Sequence, residues 1–217
     1  MILLPSLPNS KLYVSQIIDN LPDLAQIFGT DTETFVNYAQ RSFKSSHRQH
    51  EWLTIRAMLR QALSSDVTIA YDSEGCPSLS GQDIIYKGVS ISHSKTYAVL
   101  LLSKQPNVGV DVEQISPRIL KLAHRIAQPI ELPNRFSSMT DTEQIQYITT
   151  LWTIKEAAYK SLPHQQGVDL LTDILVAPFN LYDTPFSVTI DTKMTVAPLQ
   201  AYCQQFYDNI VSVVTLL

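Results

Sequence analysis

The sequence predicts an α+β protein built as two comparable α/β halves. Three observations lead there. Strand-like apolar runs and helix-period apolar patterns occur on both sides of Lys104-Gln105-Pro106-Asn107, the best boundary by composition, giving halves 1–105 and 106–217. Hydrophobic residues at 45% against 17% charged suit a chain with a sizeable core and exclude disorder as the dominant state. The length of 217 residues fits one large domain or two small ones, with no repeat, low-complexity tract or charge block to divide it otherwise.

The elements follow in order. Leu12–Ile17 mixes apolar and polar positions at short range and predicts a strand. Leu21–Phe28 predicts a short helix closed by Gly29. From Asp31 to Leu63 the apolar spacing is helical, with a break near Ser45-Ser46. Val67–Tyr71 is strand-like, and Asp72-Ser73-Glu74-Gly75 has turn composition. Val89–Ser92, Tyr97–Ser103 and Val108–Glu113 predict three more strands. Ser116-Pro117 supplies an N-cap with proline at N1, opening a helix to about Ile126. A long helix is expected from about Asp141 to Leu162, stopped by Pro163. The last third predicts strands at Leu171–Val176, Phe186–Ile190 and Asn209–Leu216, with a short helix at Leu199–Tyr207.

Charge and cysteine content exclude some functions. A net charge of -4 does not make a nucleic-acid binder, so phosphate affinity would need a local basic patch. Cys76 and Cys203 cannot form a disulfide framework or a four-ligand zinc site, and read as reduced cytosolic thiols. Met1–Pro8 lacks a basic n-region and is broken by Pro5 and Pro8, so no signal peptide is expected. No apolar run approaches the roughly 20 residues that span a bilayer. A cytoplasmic protein without membrane contact is the expectation.

Four segments carry chemistry. In Val108-Gly109-Val110-Asp111-Val112-Glu113, strand alternation puts Asp111 and Glu113 on one face, about 6.6 Å apart along the strand. Paired carboxylates of this kind suit magnesium, although a merely solvated strand face would look the same. In Trp152-Thr153-Ile154-Lys155-Glu156-Ala157-Ala158-Tyr159-Lys160, Trp152, Glu156 and Lys160 are spaced by four and share a helix face. That face could carry a third metal carboxylate and a proton donor, or an ordinary Glu–Lys helix pair. In Ser90-Ile91-Ser92-His93-Ser94, a strand-ending histidine flanked by hydroxyls could contact phosphate, while the absence of a Gly-x-Ser-x-Gly elbow argues against a hydrolase. Finally, Arg41, Lys44, Arg48, Arg56 and Arg60 concentrate positive charge against the single acid Glu51, which suggests a bound phosphate or a solvated helix face.

Together, and in this order, the histidine, Asp111/Glu113 and Trp152–Lys160 segments resemble those of the 4'-phosphopantetheinyl transferases. The length is similar to the Sfp-type, single-chain class of two halves. Asp72–Leu79 resembles the family's G-[KR]-P-x-[LF] segment, with Cys76 where a basic residue is usual. The resemblance covers roughly Arg48 to Leu162. It implies two similar halves related by pseudo-two-fold symmetry, with the active site between them, in a monomer.

The activity it implies is transfer of the 4'-phosphopantetheine arm of coenzyme A to a serine of an apo acyl or peptidyl carrier protein. Adenosine 3',5'-bisphosphate would be released. By the same resemblance Asp111, Glu113 and Glu156 hold magnesium, Glu156 or a water it orients takes the serine proton, and Lys160 neutralises or protonates the leaving group. Asp111, Glu156 and Lys160 are thus the implied catalytic set. Lys155 would assist at the phosphates. Ser92, His93, Arg56 and Arg48 would contact nucleotide phosphates, and Gly75 and Pro77 would shape the loop near adenine. Loss of the basic residue at Cys76 implies weaker or rearranged coenzyme A binding. Two other readings remain: a magnesium-dependent phosphohydrolase or nuclease using the same carboxylates, and a non-catalytic module binding coenzyme A or a carrier protein. On the helix after Ser116, Arg118, Lys121 and Arg125 are expected to form a basic edge that steers an acidic carrier protein.

Overall fold

In the computed structural model, residues 2–4, 9–63, 66–163, 167–181, 183, 186–192 and 199–216 are described. The proline-broken start Met1–Pro8 lies, apart from residues 2–4, outside them. The chain forms two compact units, Met1–Pro106 and Asn107–Leu217.

The first unit contains β1 (Ile2–Leu4), β2 (Ser10–Gln16), α1 (Leu21–Phe28), α2 (Thr32–Ser42), α3 (Ser46–Ala62), β3 (Thr68–Tyr71), β4 (Pro77–Ser80), β5 (Gly88–His93) and β6 (Tyr97–Ser103). Its antiparallel sheet has the order β1-β2-β6-β5, with β3 and β4 as a separate hairpin. α1 starts where the Asn20 side chain accepts from Asp23 N at 2.9 Å, a donor the helix itself leaves unpaired. Every residue of β6 is buried, as its unbroken apolar run requires of a central strand. Ala98, Leu100 and Leu102 pack with Tyr13 and with Ile55, Met58 and Leu59 of α3. The hairpin follows from its turn. Asp72 Oδ1 accepts from the backbone N–H of Glu74 and Cys76, both at 2.9 Å, and Gly75 takes a φ of 85° that favours glycine. The β4 strand, absent from the sequence reading, starts at Pro77 and pairs with Tyr71 across this turn.

The second unit contains β7 (Val108–Gln114), a 3₁₀ segment (Pro117–Leu122), α4 (Ala123–Ile126), α5 (Asp141–Ser161), β8 (Ile174–Val176), β9 (Phe186–Thr192), β10 (Leu199–Phe206) and β11 (Asn209–Leu216). Its sheet runs β7-β11-β10-β9-β8, every described pairing antiparallel. α5 opens with a capping box, Thr140 Oγ1 accepting from Glu143 N while Glu143 Oε2 accepts from Thr140 N at 2.8 Å. It lies on the sheet through Tyr147, Ile148, Leu151, Ile154, Ala157 and Ala158, all fully buried. No helix among the described residues is long and apolar enough to cross a membrane.

Two expectations need correction. Leu199–Tyr207 is no helix: Leu199, Ala201 and Cys203 are buried and alternate with half-buried Gln200, Tyr202 and Gln204, a period of two, and Leu199–Phe206 pairs with strands on both sides. The segment after Ser116 is a 3₁₀ turn that becomes one turn of α-helix, not a continuous α-helix. Residues three apart eclipse in a 3₁₀ helix, so Arg118 and Lys121 still share an edge, but the change of pitch at Ala123 removes the regular spacing to Arg125.

Candidate active site

Gly109 determines how closely β7 approaches α5. A Cβ there would overlap the carbonyl oxygen of Ala157 and come within 2.9 Å of Ser161 N. The strand backbone therefore lies directly on the helix backbone, which brings the side chains that follow Gly109 to the C-terminal half of α5. Lys160 Nζ donates to Asp111 Oδ1 at 2.7 Å and to the Val110 carbonyl at 3.3 Å. Two helical turns earlier, Trp152 Nε1 donates to Glu113 Oε1 at 3.2 Å. Glu156 stands between those two on the same helix face. Strand and helix thus carry Asp111 opposite Lys160 and Glu113 opposite Trp152.

Three carboxylates gather here against one ammonium. Burial pushes Glu113 up to about 7, and the neighbouring Asp111 and Glu156 charges add to it, while the Trp152 bond and Lys160 oppose. Glu156 is raised by burial and then by Asp111, with Lys160 opposing. Oxygen donors in mutual repulsion are what a hard divalent cation stabilises, so the donor set fits magnesium in kind. Among the described residues, however, no three carboxylate, histidine or cysteine side chains are arranged to hold a metal ion. Lys160 occupies one oxygen of Asp111 and Trp152 one of Glu113.

The raised Glu113 has a stability consequence. In the folded chain it keeps its proton to about pH 7, against 4.5 for the ordinary group. Its favourable contribution is therefore complete below about pH 4.5 and is lost as pH rises through 7. Glu113→Gln, which keeps an acceptor for Trp152 but never ionises, should raise stability at pH 8 by up to about 3 kcal/mol and change it little near pH 5. Urea melts at both pH values in chelator test this; the same gain at both would refute it.

Lys155 lies elsewhere. One residue from Glu156 is about 100° around the helix, and Lys155 is fully buried, 2.8 Å from Glu131 and donating to the Leu171 carbonyl at 3.1 Å. Glu131 accepts in addition from Gln128 N at 2.9 Å and Val176 N at 2.8 Å. The expected role of Lys155 at phosphates is accordingly withdrawn, because its ammonium is committed to a buried pair that joins α5 to the loop before it and to β8.

In the first unit, His93 ends β5 and meets α3. Glu51 Oε1 is 3.0 Å from His93 Nδ1 and 3.1 Å from His47 Nε2, and Glu51 Oε2 accepts from Arg48 Nη1 at 2.8 Å. Arg48 Nη1 also lies 2.6 Å from His93 Nε2. Arg56 is placed differently. Its guanidinium lies 4.2 Å from the centre of the Trp52 ring and donates to Tyr71 Oη at 3.3 Å, next to the turn that holds Gly75 and Pro77. Arg60 is paired with Asp31 at 2.8 Å. Ser92 is buried in β5. The structure thus joins Arg48 to His93 and Arg56 to the hairpin. Glu51, Glu131 and the Trp152–Glu113 bond were not singled out in the sequence. Glu51 could have been, since it follows His47 by four and Arg48 by three on one helix.

Comparison with known proteins bears on this geometry. Residues 107–209 match the sequence profile of the 4'-phosphopantetheinyl transferase superfamily. A protein of Escherichia coli named 4'-phosphopantetheinyl transferase AcpT is 29% identical over 118 residues, 52% of this chain and 57% of that protein. The protein of the same name from Salmonella typhi is 30% identical over 122 residues, covering 52% and 58%. The chain thus spans a little over half the length of these relatives. The profile match contains β7 and α5, and with them every residue of the carboxylate cluster.

Proposed function

We propose, from the match of residues 107–209 to the 4'-phosphopantetheinyl transferase superfamily, that the chain transfers the 4'-phosphopantetheine arm of coenzyme A to a serine of an apo carrier protein. The observation that carries this reading is the set of Asp111, Glu113, Glu156 and Lys160 gathered on β7 and α5. In the reaction the serine oxygen bonds to the phosphorus next to pantetheine. The bond from that phosphorus to the oxygen bridging the two phosphates breaks, and adenosine 3',5'-bisphosphate leaves.

Glu156, its proton affinity raised by burial and by Asp111, is suited to accept the serine proton directly or through a water. Lys160 supplies positive charge, or a proton, to the leaving phosphate. Asp111 holds Lys160 in place at 2.7 Å. Magnesium would be held by Asp111, Glu113 and Glu156, and would stabilise the charge that develops on the cleaved pyrophosphate. His93 and Arg48, with Arg56 beside the hairpin, would bind the nucleotide phosphates, the 3'-phosphate among them. The two units would be the pseudo-symmetric halves of a monomeric, cytoplasmic enzyme. Exposed Arg118 and Lys121, next to exposed Leu122, would meet an acidic carrier.

The test is to incubate the protein with coenzyme A, magnesium and an apo carrier protein, and to weigh the carrier. A gain of one phosphopantetheine arm is expected, at a rate that falls with salt. Asp111→Ala should reduce it about 100- to 1,000-fold while leaving the fold in place. Hydrolysis of coenzyme A with no gain would indicate a phosphohydrolase instead, and coenzyme A binding without either reaction a binding module.

A further inference from the structure

Glu51 lies beneath a surface that its partners form. Its side chain is 7% exposed, against 56% for Arg48 and 33% for His93. A buried carboxylate with outward partners fixes where those partners point. Hydrogen-bond chemistry specifies how. A guanidinium only donates, so at the 2.6 Å contact between Arg48 Nη1 and His93 Nε2 the imidazole nitrogen is the acceptor. The ring proton is therefore on Nδ1, where it is donated to Glu51 Oε1 at 3.0 Å. Glu51 selects this tautomer and turns Nε2 away from itself, toward the guanidinium that its other oxygen holds at 2.8 Å.

We infer that Glu51 is a positioning residue for phosphate recognition, holding the His93 ring and the Arg48 guanidinium so that Nε2 and the guanidinium converge on one phosphate monoester. The inference rests on the reading above that these two residues meet the nucleotide's 3'-phosphate. Such an anion takes the place of the Arg48–His93 contact. An imidazolium at His93 donates from both nitrogens, Nδ1 to Glu51 and Nε2 to the phosphate. Glu51 touches no substrate atom and acts through Arg48 and His93, while His47 holds its Oε1 from a third side at 3.1 Å. An arginine and a histidine without the carboxylate would each be free to rotate, and the orientation would have to be established on binding.

The experiment compares coenzyme A with 3'-dephospho-coenzyme A in the wild type and in Glu51→Gln. The wild type should favour coenzyme A. In Glu51→Gln the KM for coenzyme A should rise about 10- to 100-fold, the loss of one or two charge-assisted contacts, with kcat changed far less. The KM for the dephosphorylated substrate should move little, so the preference collapses. Equal use of both substrates by the wild type would overturn the phosphate reading and the inference with it. A wild-type preference that survives in Glu51→Gln would overturn the role of Glu51 alone. So would a KM rise of the same size for both substrates, which marks a structural role. If Glu51→Gln does not fold, Glu51→Asp, which keeps the charge but withdraws it by one carbon, should show the same pattern more weakly. Nitrogen NMR of the free wild type should find the His93 proton on Nδ1; a proton on Nε2 would refute the inference even in a protein that transfers nothing.

Discussion

Gly109→Ala should abolish most of the transfer activity and unfold the protein at markedly lower denaturant. The added carbon has no room, because it meets the Ala157 carbonyl group and Ser161 N, all backbone atoms of α5. No side chain can swing aside, so either the strand or the helix has to move. Overpacking of this kind costs about 1–3 kcal/mol or more. The larger effect concerns chemistry. Asp111 and Glu113 ride on the strand, and Glu156 and Lys160 on the helix, so separating the two by about 1 Å misaligns both sides and should cost roughly 100-fold in kcat. A urea melt and a carrier-mass assay on the same preparation check both parts. Wild-type stability and rate in this variant would mean that β7 and α5 are not in backbone contact.

Lys155→Met should be the most destabilising change outside that contact. Both members of the Lys155–Glu131 pair are 0% exposed. Removal of one partner of a buried pair leaves a charge without compensation and costs about 3–5 kcal/mol. Here the abandoned group would be Glu131, still accepting from two backbone N–H groups. Replacement of both, Lys155→Met with Glu131→Gln, should recover part of the loss. Melting curves of the two variants decide the matter, and a double variant no more stable than Lys155→Met would place the cost in the shape of the site instead of its charge.

These two positions show where sequence reading succeeds and where it stops. Strand alternation was enough to put Asp111 and Glu113 on one face, and helical spacing enough to align Trp152, Glu156 and Lys160, because both are local periodicities. The long helix and the central strands were legible for the same reason. What joins the two motifs is not local. Nothing around Gly109 announces a helix backbone against it, and nothing around Lys155 announces a glutamate 24 positions earlier in the chain. Lys155 sits between two residues of opposite fate, and only the packing of α5 tells its face from that of Glu156. The Leu199–Tyr207 segment was misread because its glutamines hide an apolar alternation that pairing on both sides makes plain. Glu51 was visible but passed as the lone acid in a basic stretch, when its burial is what gives it meaning.

The sheet orders also set a timetable for synthesis. In the first unit β2 is held by β6, and the Ser10–Ser103 hydroxyl pair that marks one end of their ladder spans 93 residues. At about 5–20 residues per second the ribosome needs roughly 5–20 s to cover that distance, and throughout it β2 waits with no β6 to join. The second unit repeats the delay. β7 is laid down first but its sheet neighbour is β11, the last of the described strands, with Val108 opposite Thr215. The strand that bears Asp111 and Glu113 therefore gains its place in the sheet only when β11 has left the ribosome, and a nascent chain stopped before Asn209 would hold both carboxylates on a strand without that partner.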